Sequence, residues 1–197
     1  MRREPRIGAD AAPGFAVLLI VTTVAVAIAA GLATGGSLRD FPTVRLRALW
    51  LAVPGVVLQY LVIRGSLALP LLLASLACLL AFAGVNIRAP GFALILIGLA
   101  LNTVVIAANR GMPISREALD ASGQSSTITQ LTTDSDGQKH YLADDRTVLL
   151  PLGDVIAIPK PIGQAVSIGD IFVHAGIAWF IVMAVRKPRT AEAPAHA

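Results

Sequence analysis

The run PGFAVLLIVTTVAVAIAAGLATG, residues 13–35, contains no charged residue. A helix needs roughly 20 apolar residues to cross the hydrocarbon core of a bilayer, with a usable range of about 17 to 25. Four more apolar runs follow, at 48–63, 67–85, 90–109 and 168–185. The chain is 55% hydrophobic and 14% charged, whereas soluble domains carry about 25% charged residues. It lacks the polar side chains to cover a water-facing surface, so an integral membrane protein follows. The runs are continuous and do not alternate in ten-residue pieces, which selects helices over a barrel. The expectation is an all-α membrane protein with five transmembrane helices.

Local signals set the boundaries. The first run closes on Gly35-Gly36, a natural helix stop. Arg2, Arg3 and Arg6 precede it, as in a signal peptide, but its apolar core exceeds the usual 7 to 15 or so residues. It reads as a retained helix. Pro54 should kink the second run, where Gln59 is the one amide, and "RGS" at 64–66 should turn the chain into the third. Pro90 fits the first turn of the fourth helix, because its missing N–H is not needed there. The organisation is a tail at 1–12, a four-helix region at 13–109, a loop at 110–167, a fifth helix at 168–185 and a tail at 186–197.

The 110–167 loop is the only sizeable polar segment, with five basic residues against seven acidic ones. A piece this small rarely supports a core of its own, so it should fold back on the helices. Its first half is Thr-rich around Asp136-Gly137, a turn-forming pair, and predicts a short β-hairpin there. Its second half, "VLLPLGDVIAIPKPIGQAVSIGD", is apolar but broken by Pro151, Pro159 and Pro161. An extended segment at the headgroup level, or tucked between helix ends, is expected. Lys and Arg near the helix ends divide seven against seven between the two faces, so charge counting does not assign sides.

"LNTVVIAANRGMPIS" (101–115), "LPLGDVIAIPKP" (150–161) and "VSIGDI" (166–171) together resemble a bacterial family of small multi-pass membrane proteins, domain of unknown function 5317. The resemblance runs over nearly the whole chain. It departs at Asn109-Arg110-Gly111, where the family has an Asn-Gly-Gly-type turn, and at Ala157, where it often has proline. The resemblance implies a bacterial plasma-membrane protein with its long loop extracytoplasmic and its C-terminus cytoplasmic. It implies no activity.

Several polar residues stand out against this apolar background. Asn102 lies inside the fourth run, and an interhelical hydrogen bond explains it most simply, with Gln59 as one partner to consider. Asn109, before Gly111, suits a helix C-cap because asparagine tolerates the left-handed conformation. Arg110 and Arg116 suit the phosphate level, where basic residues attract anionic lipid. Ser167 and Asp170 imitate a capping box at the start of the last helix, and His174 follows one turn later on the same face. An ionisable residue inside a span is also a functional candidate. Asp154, in an apolar stretch, must reach water or find a donor. Chain direction brings Asn109, Arg110, Asp154, Asp170 and His174 to one membrane face. The expectation is that Arg110, Asn109 or the N–H groups opening the fifth helix hold Asp154 or Asp170.

No H-E-x-x-H, C-x-x-C, G-x-S-x-G or P-loop pattern occurs. "TTDSDG" would need a glutamate at position 143, which is alanine, so it is no calcium loop. Cys78 has no second cysteine to pair with. No basic stripe interleaves with aromatics, which argues against nucleic acid. No metal or cofactor is implied. Two functions fit: a binding, scaffold or accessory subunit engaging a membrane partner or lipid headgroups, and an enzyme acting on a lipid-linked substrate with Asp154, Asp170 and His174 as acid/base groups. A small transporter fits less well, because no inverted repeat is visible.

Overall fold

Apolar runs become helices because in lipid every backbone polar group must be satisfied within its own segment. The computed structural model describes residues 11–39, 45–60, 67–133 and 139–186. The helices α1 (Ala11–Ala33), α2 (Leu49–Tyr60), α3 (Ala68–Val85) and α4 (Phe92–Asn109) come first. Then follow β1 (Met112–Ile114), α5 (Arg116–Ser122), α6 (Ser125–Thr133), β2 (His140–Leu142), β3 (Ile156–Ile158), β4 (Gln164–Val166) and finally α7 (Ile168–Val185). The fold is therefore mostly helical with a few short strands, not all-α.

Three helices, α3, α4 and α7, are each 18 residues and apolar enough to cross a membrane. At about 1.5 Å per residue each reaches about 27 Å. Val17–Ala33 and Leu49–Gln59 are apolar but shorter. The second helix is described only to Tyr60, and the "RGS" turn expected at 64–66 lies outside the described residues. Pro90 does not sit in a first turn: α4 begins at Phe92 on an N-cap, Gly91, whose backbone is left-handed at φ 80°.

That start follows from how α4 meets α7. The two helices run antiparallel through paired glycines, Gly98 against Gly169 and Gly91 against Gly176. A Cβ on Gly169 would lie 2.7 Å from the Gly98 carbonyl oxygen, and one on Gly176 would lie 2.6 Å from that of Gly91. Only backbone fits there, and small residues at such crossings are how helices gain van der Waals contact in lipid. Around this seam α2 packs on α3, α3 on α4, and α1 on the far side of α7. Edge-to-face rings link three of them, with Phe92 5.5 Å from Phe82 and 5.4 Å from Phe180. Ser37 N donates to Val185 O at 2.8 Å, placing the ends of α1 and α7 together.

The described residues of the 110–167 segment build a cap at the other end of the bundle. β1 and β2 pair in parallel, and β3 and β4 form an antiparallel hairpin. The cap has a small core of its own, Ile114, Ala118, Leu119 and Ala165, with Ile128, Leu131 and Leu142 against it. Two expectations change accordingly. The hairpin lies in the proline-broken half, at 156–166, not in the Thr-rich half. Residues 125–133 of the Thr-rich half are helix α6, and β2 pairs with β1. Packing of Ile128 and Leu131 on Leu119 outweighs the strand preference of the threonines. The turn expected at Asp136-Gly137 lies outside the described residues.

Candidate functional site

Where the cap meets the bundle, polar side chains gather in two groups. The first surrounds the start of α7. Ser167 Oγ accepts from Asp170 N at 2.9 Å, and Asp170 Oδ2 accepts from Ser167 N at 3.1 Å, closing a reciprocal capping box. Asn102, one helix away and only 8% exposed, completes the set. Its Nδ2 donates to Asp170 Oδ1 at 2.8 Å, and its Oδ1 accepts from Ser167 Oγ at 2.9 Å. The partner of Asn102 is therefore the α7 cap and not Gln59. One turn deeper, His174 Nδ1 lies 2.9 Å from Thr23 Oγ1 of α1.

Asp154 lies close by, only 4% exposed. Its backbone extends the β1 ladder: its N–H donates to Pro113 O at 2.9 Å, and its carbonyl accepts from Ser115 N at 3.2 Å. Its Oδ2 is 3.8 Å from His140 Nε2. Among the described residues no donor reaches its buried Oδ1. Burial foremost, and then the Asp170 charge, raises the Asp154 carboxyl well above its ordinary range against the pull of Lys139. Burial and then the Lys139 ammonium lower His140. Desolvation also lowers Lys139, opposed by Asp170 and Asp154. Both basic side chains keep open surface, and the water that reaches it moderates those two shifts. Burial thus favours the neutral forms of both Asp154 and His140, and a protonated carboxyl can both donate and accept.

Lys139 ties this group to α2. Its Nζ donates to Gln59 Oε1 at 2.6 Å, Gln59 Nε2 to Ser75 Oγ at 2.8 Å, and Ser75 Oγ to Gly55 O at 2.7 Å.

The second group sits at the C-terminal end of α4. Asn109 is not the left-handed cap residue; Arg110 is, at φ 60°. The Asn109 side chain instead clamps the cap backbone, donating to Val148 O at 2.7 Å and accepting from Val148 N at 2.8 Å. Arg110 turns into a cavity of about 270 Å³ whose lining includes Tyr141, Asp144 and Arg146. Strand residues alternate sides, so β2 sends Tyr141 to this cavity and His140 to Asp154. That alternation separates the two groups. Of the five residues expected in one cluster, Asp154, Asp170 and His174 line the α7 side, while Asn109 and Arg110 line the cavity. Asp170 is held by Asn102 and the α7 N-terminus, and Arg110 forms no ion pair with either carboxylate among the described residues. Arg116, also expected at the phosphate level, opens α5 and does not line the cavity.

The sequence reading missed Lys139 and His140, which it counted only as loop residues. It also missed Asn86, which is 6% exposed and binds the Arg47 backbone through both ends of its amide, at 2.8 Å each. The signal for Asn86 was present: an amide closing a charge-free run is the same feature that singled out Asn109. Among the described residues no group of three or more His, Cys, Asp and Glu side chains could hold a metal ion.

Comparison with curated proteins and with solved structures finds no match. A family model does match, over residues 43–182, which runs from just ahead of α2 to the last turn of α7 and so takes in the cap and both polar groups. With most of its length covered, the chain belongs to the family of unknown function DUF5317.

Proposed function

We propose that the protein is a binding, scaffold or accessory subunit of the bacterial plasma membrane, engaging a membrane partner or lipid headgroups through its cap. The observation that carries this reading is the cavity beside α4, which Arg110 and Arg146 line together at the point where a membrane-length helix ends. Two guanidiniums at that level suit an anionic group. Copurification of the full chain, followed by mass spectrometry of bound proteins and lipids, tests it. A stoichiometric partner or a retained lipid is expected, and recovery of neither overturns it.

In this reading the chain crosses the membrane five times, with the cap outside and the C-terminus in the cytoplasm. The antiparallel contact of α4 with α7, and the shared end of α1 and α7, support alternating helix directions. Compartment-specific reporters fused at Gln138 and at Ala197 check it. A cytoplasmic signal from Gln138 would reverse the assignment.

A second reading, an enzyme acting on a lipid-linked substrate at the outer leaflet, draws on one feature. Asp154 is a buried carboxyl with raised pKa and a bare oxygen beside His140, the environment of a general acid. Asp154→Asn separates the two readings. A binding protein keeps its partners, whereas an enzyme keeps its fold and partners but loses turnover.

A further inference from the structure

The two-arginine cavity continues downward as an apolar stripe. Ala108 forms part of the cavity wall on the last turn of α4. Four and eleven residues earlier, at helical spacings that keep one face, lie Val104 and Ile97, 52% and 46% exposed. From Ile97 to Ala108 the stripe is about 16 Å long at 1.5 Å per residue, close to half the roughly 30 Å hydrocarbon thickness. The cap adds Val148 and Leu149, 53% and 43% exposed, beside the cavity mouth. Asp144 also lines the cavity, but its Oδ1 is engaged in its own turn, accepting from Arg146 N at 3.0 Å and from Thr147 Oγ1 at 3.2 Å. Neither guanidinium has a hydrogen-bond or ion-pair partner among the described residues. Positive charge above one leaflet's length of exposed apolar helix is the complement of one kind of molecule.

We propose that this face is a phospholipid site, with the phosphate diester between Arg110 and Arg146 and one acyl chain running down α4 along Ala108, Val104 and Ile97. The proposal rests on the binding reading above and names its ligand. Guanidinium forks match phosphate oxygens in paired hydrogen bonds, which fixes the headgroup. The stripe makes the ligand a lipid, since a free phosphate would leave it unused.

Native mass spectrometry of the full chain in detergent tests this, with dioleoylphosphatidylglycerol, dioleoylglycerol and inorganic phosphate as separate probes. The phospholipid should bind at least about tenfold more tightly than either fragment of its chemistry. Arg110→Asn combined with Arg146→Gln should weaken it on the order of tenfold or more; asparagine is chosen because it tolerates the left-handed backbone at position 110. Val104→Trp should block the acyl track and weaken the phospholipid by a few-fold, leaving inorganic phosphate unaffected. Circular dichroism and thermal unfolding establish that each variant folds. Equal binding of dioleoylglycerol, phospholipid affinity unchanged in the double variant, or inorganic phosphate binding as tightly as the lipid would each overturn the assignment. If the lipid site fails while a protein partner still copurifies, the binding reading survives it. If no partner copurifies either, both fall.

Discussion

Helix α4 makes two of its contacts by opposite means. Toward α7 it offers glycine, and the two backbones touch with no room for a methyl group. Toward the N-terminus of α7 and the cap above it, the same helix offers Asn102 and Asn109, and contact is made through side-chain amides that satisfy other polar groups. The first contact depends on close fit and needs no proton. The second depends on hydrogen bonds beside titratable groups, so the charge state of its neighbours can alter it. The bundle is the rigid part, and the junction above it is where a ligand or a proton could have an effect.

The largest effect should come from breaking the rigid contact. Gly98→Leu drives a side chain into the α7 backbone and Val173, and should destabilise the fold by more than about 3 kcal/mol. Gly84→Ala is the control: nothing lies within 4 Å of its Cβ, and alanine should gain up to about 1 kcal/mol in helix propensity. Thermal unfolding in one detergent compares them. Similar melting temperatures for the two variants would mean that the glycine seam is not the core of the bundle. Next in size is Asn102→Leu, which strips one partner each from Ser167 Oγ and the Asp170 carboxylate. A loss of about 1 to 3 kcal/mol is expected. If α4 and α7 part only in the glycine variant, the two contacts are independent, as the comparison requires.

What the sequence showed of this arrangement follows from the range of each signal. Apolar runs are local, and the ends of α3, α4 and α7 fell within two residues of expectation. Ser167 and Asp170 are three residues apart, so their capping box was visible as well. The cap was not, because β1 pairs with a strand that begins 26 residues after it ends and Asp154 joins that ladder from further still. Separations of that kind leave no periodic trace. Of the holders expected for Asp154 or Asp170, the N–H groups opening α7 do hold Asp170, while Arg110 reaches neither carboxylate, for a related reason. Arg110 is near in chain order at the helix end, but strand alternation at β2 turns His140 to the carboxyl and leaves Arg110 across the sheet with Tyr141.

The junction can also be probed by pH. Asp154 has a raised pKa, so the folded state holds its proton more tightly than the unfolded chain does. That contribution is fully present below the ordinary value of 3.8 and is lost as pH rises through the raised folded value. His140, lowered, acts the other way: its contribution is intact above its ordinary 6.5 and is lost as pH falls below that. Lys139, lowered as well, acts in the same direction as His140 below its ordinary 10.5. Asp154→Asn should therefore remove the loss of stability on the alkaline side and leave the His140 limb. Unfolding midpoints measured from pH 4 to 9 or so would show it. A profile identical to that of the parent would mean that Asp154 ionises freely.

The smallest effect should separate anchoring from stability. Asn109 gives three hydrogen bonds, two to the Val148 backbone and one to Val105 O at 2.9 Å. They lie on the exposed side of the junction, where water can replace much of what is lost, so Asn109→Ala should reduce global stability by only about 0.5 to 1 kcal/mol. The local consequence is larger than that figure suggests. The clamp is the contact that fixes Val148 against the end of α4, and Leu149 beside it holds a left-handed backbone at φ 58°. Without the clamp that strained turn has less to hold it in place. Amide exchange should quicken over residues 146–149 and stay unchanged along α7, because local opening draws on local contacts. Exchange that quickens equally in α7 would join the junction to the bundle as one cooperative unit, and the distinction between a rigid seam and an adjustable one would be lost.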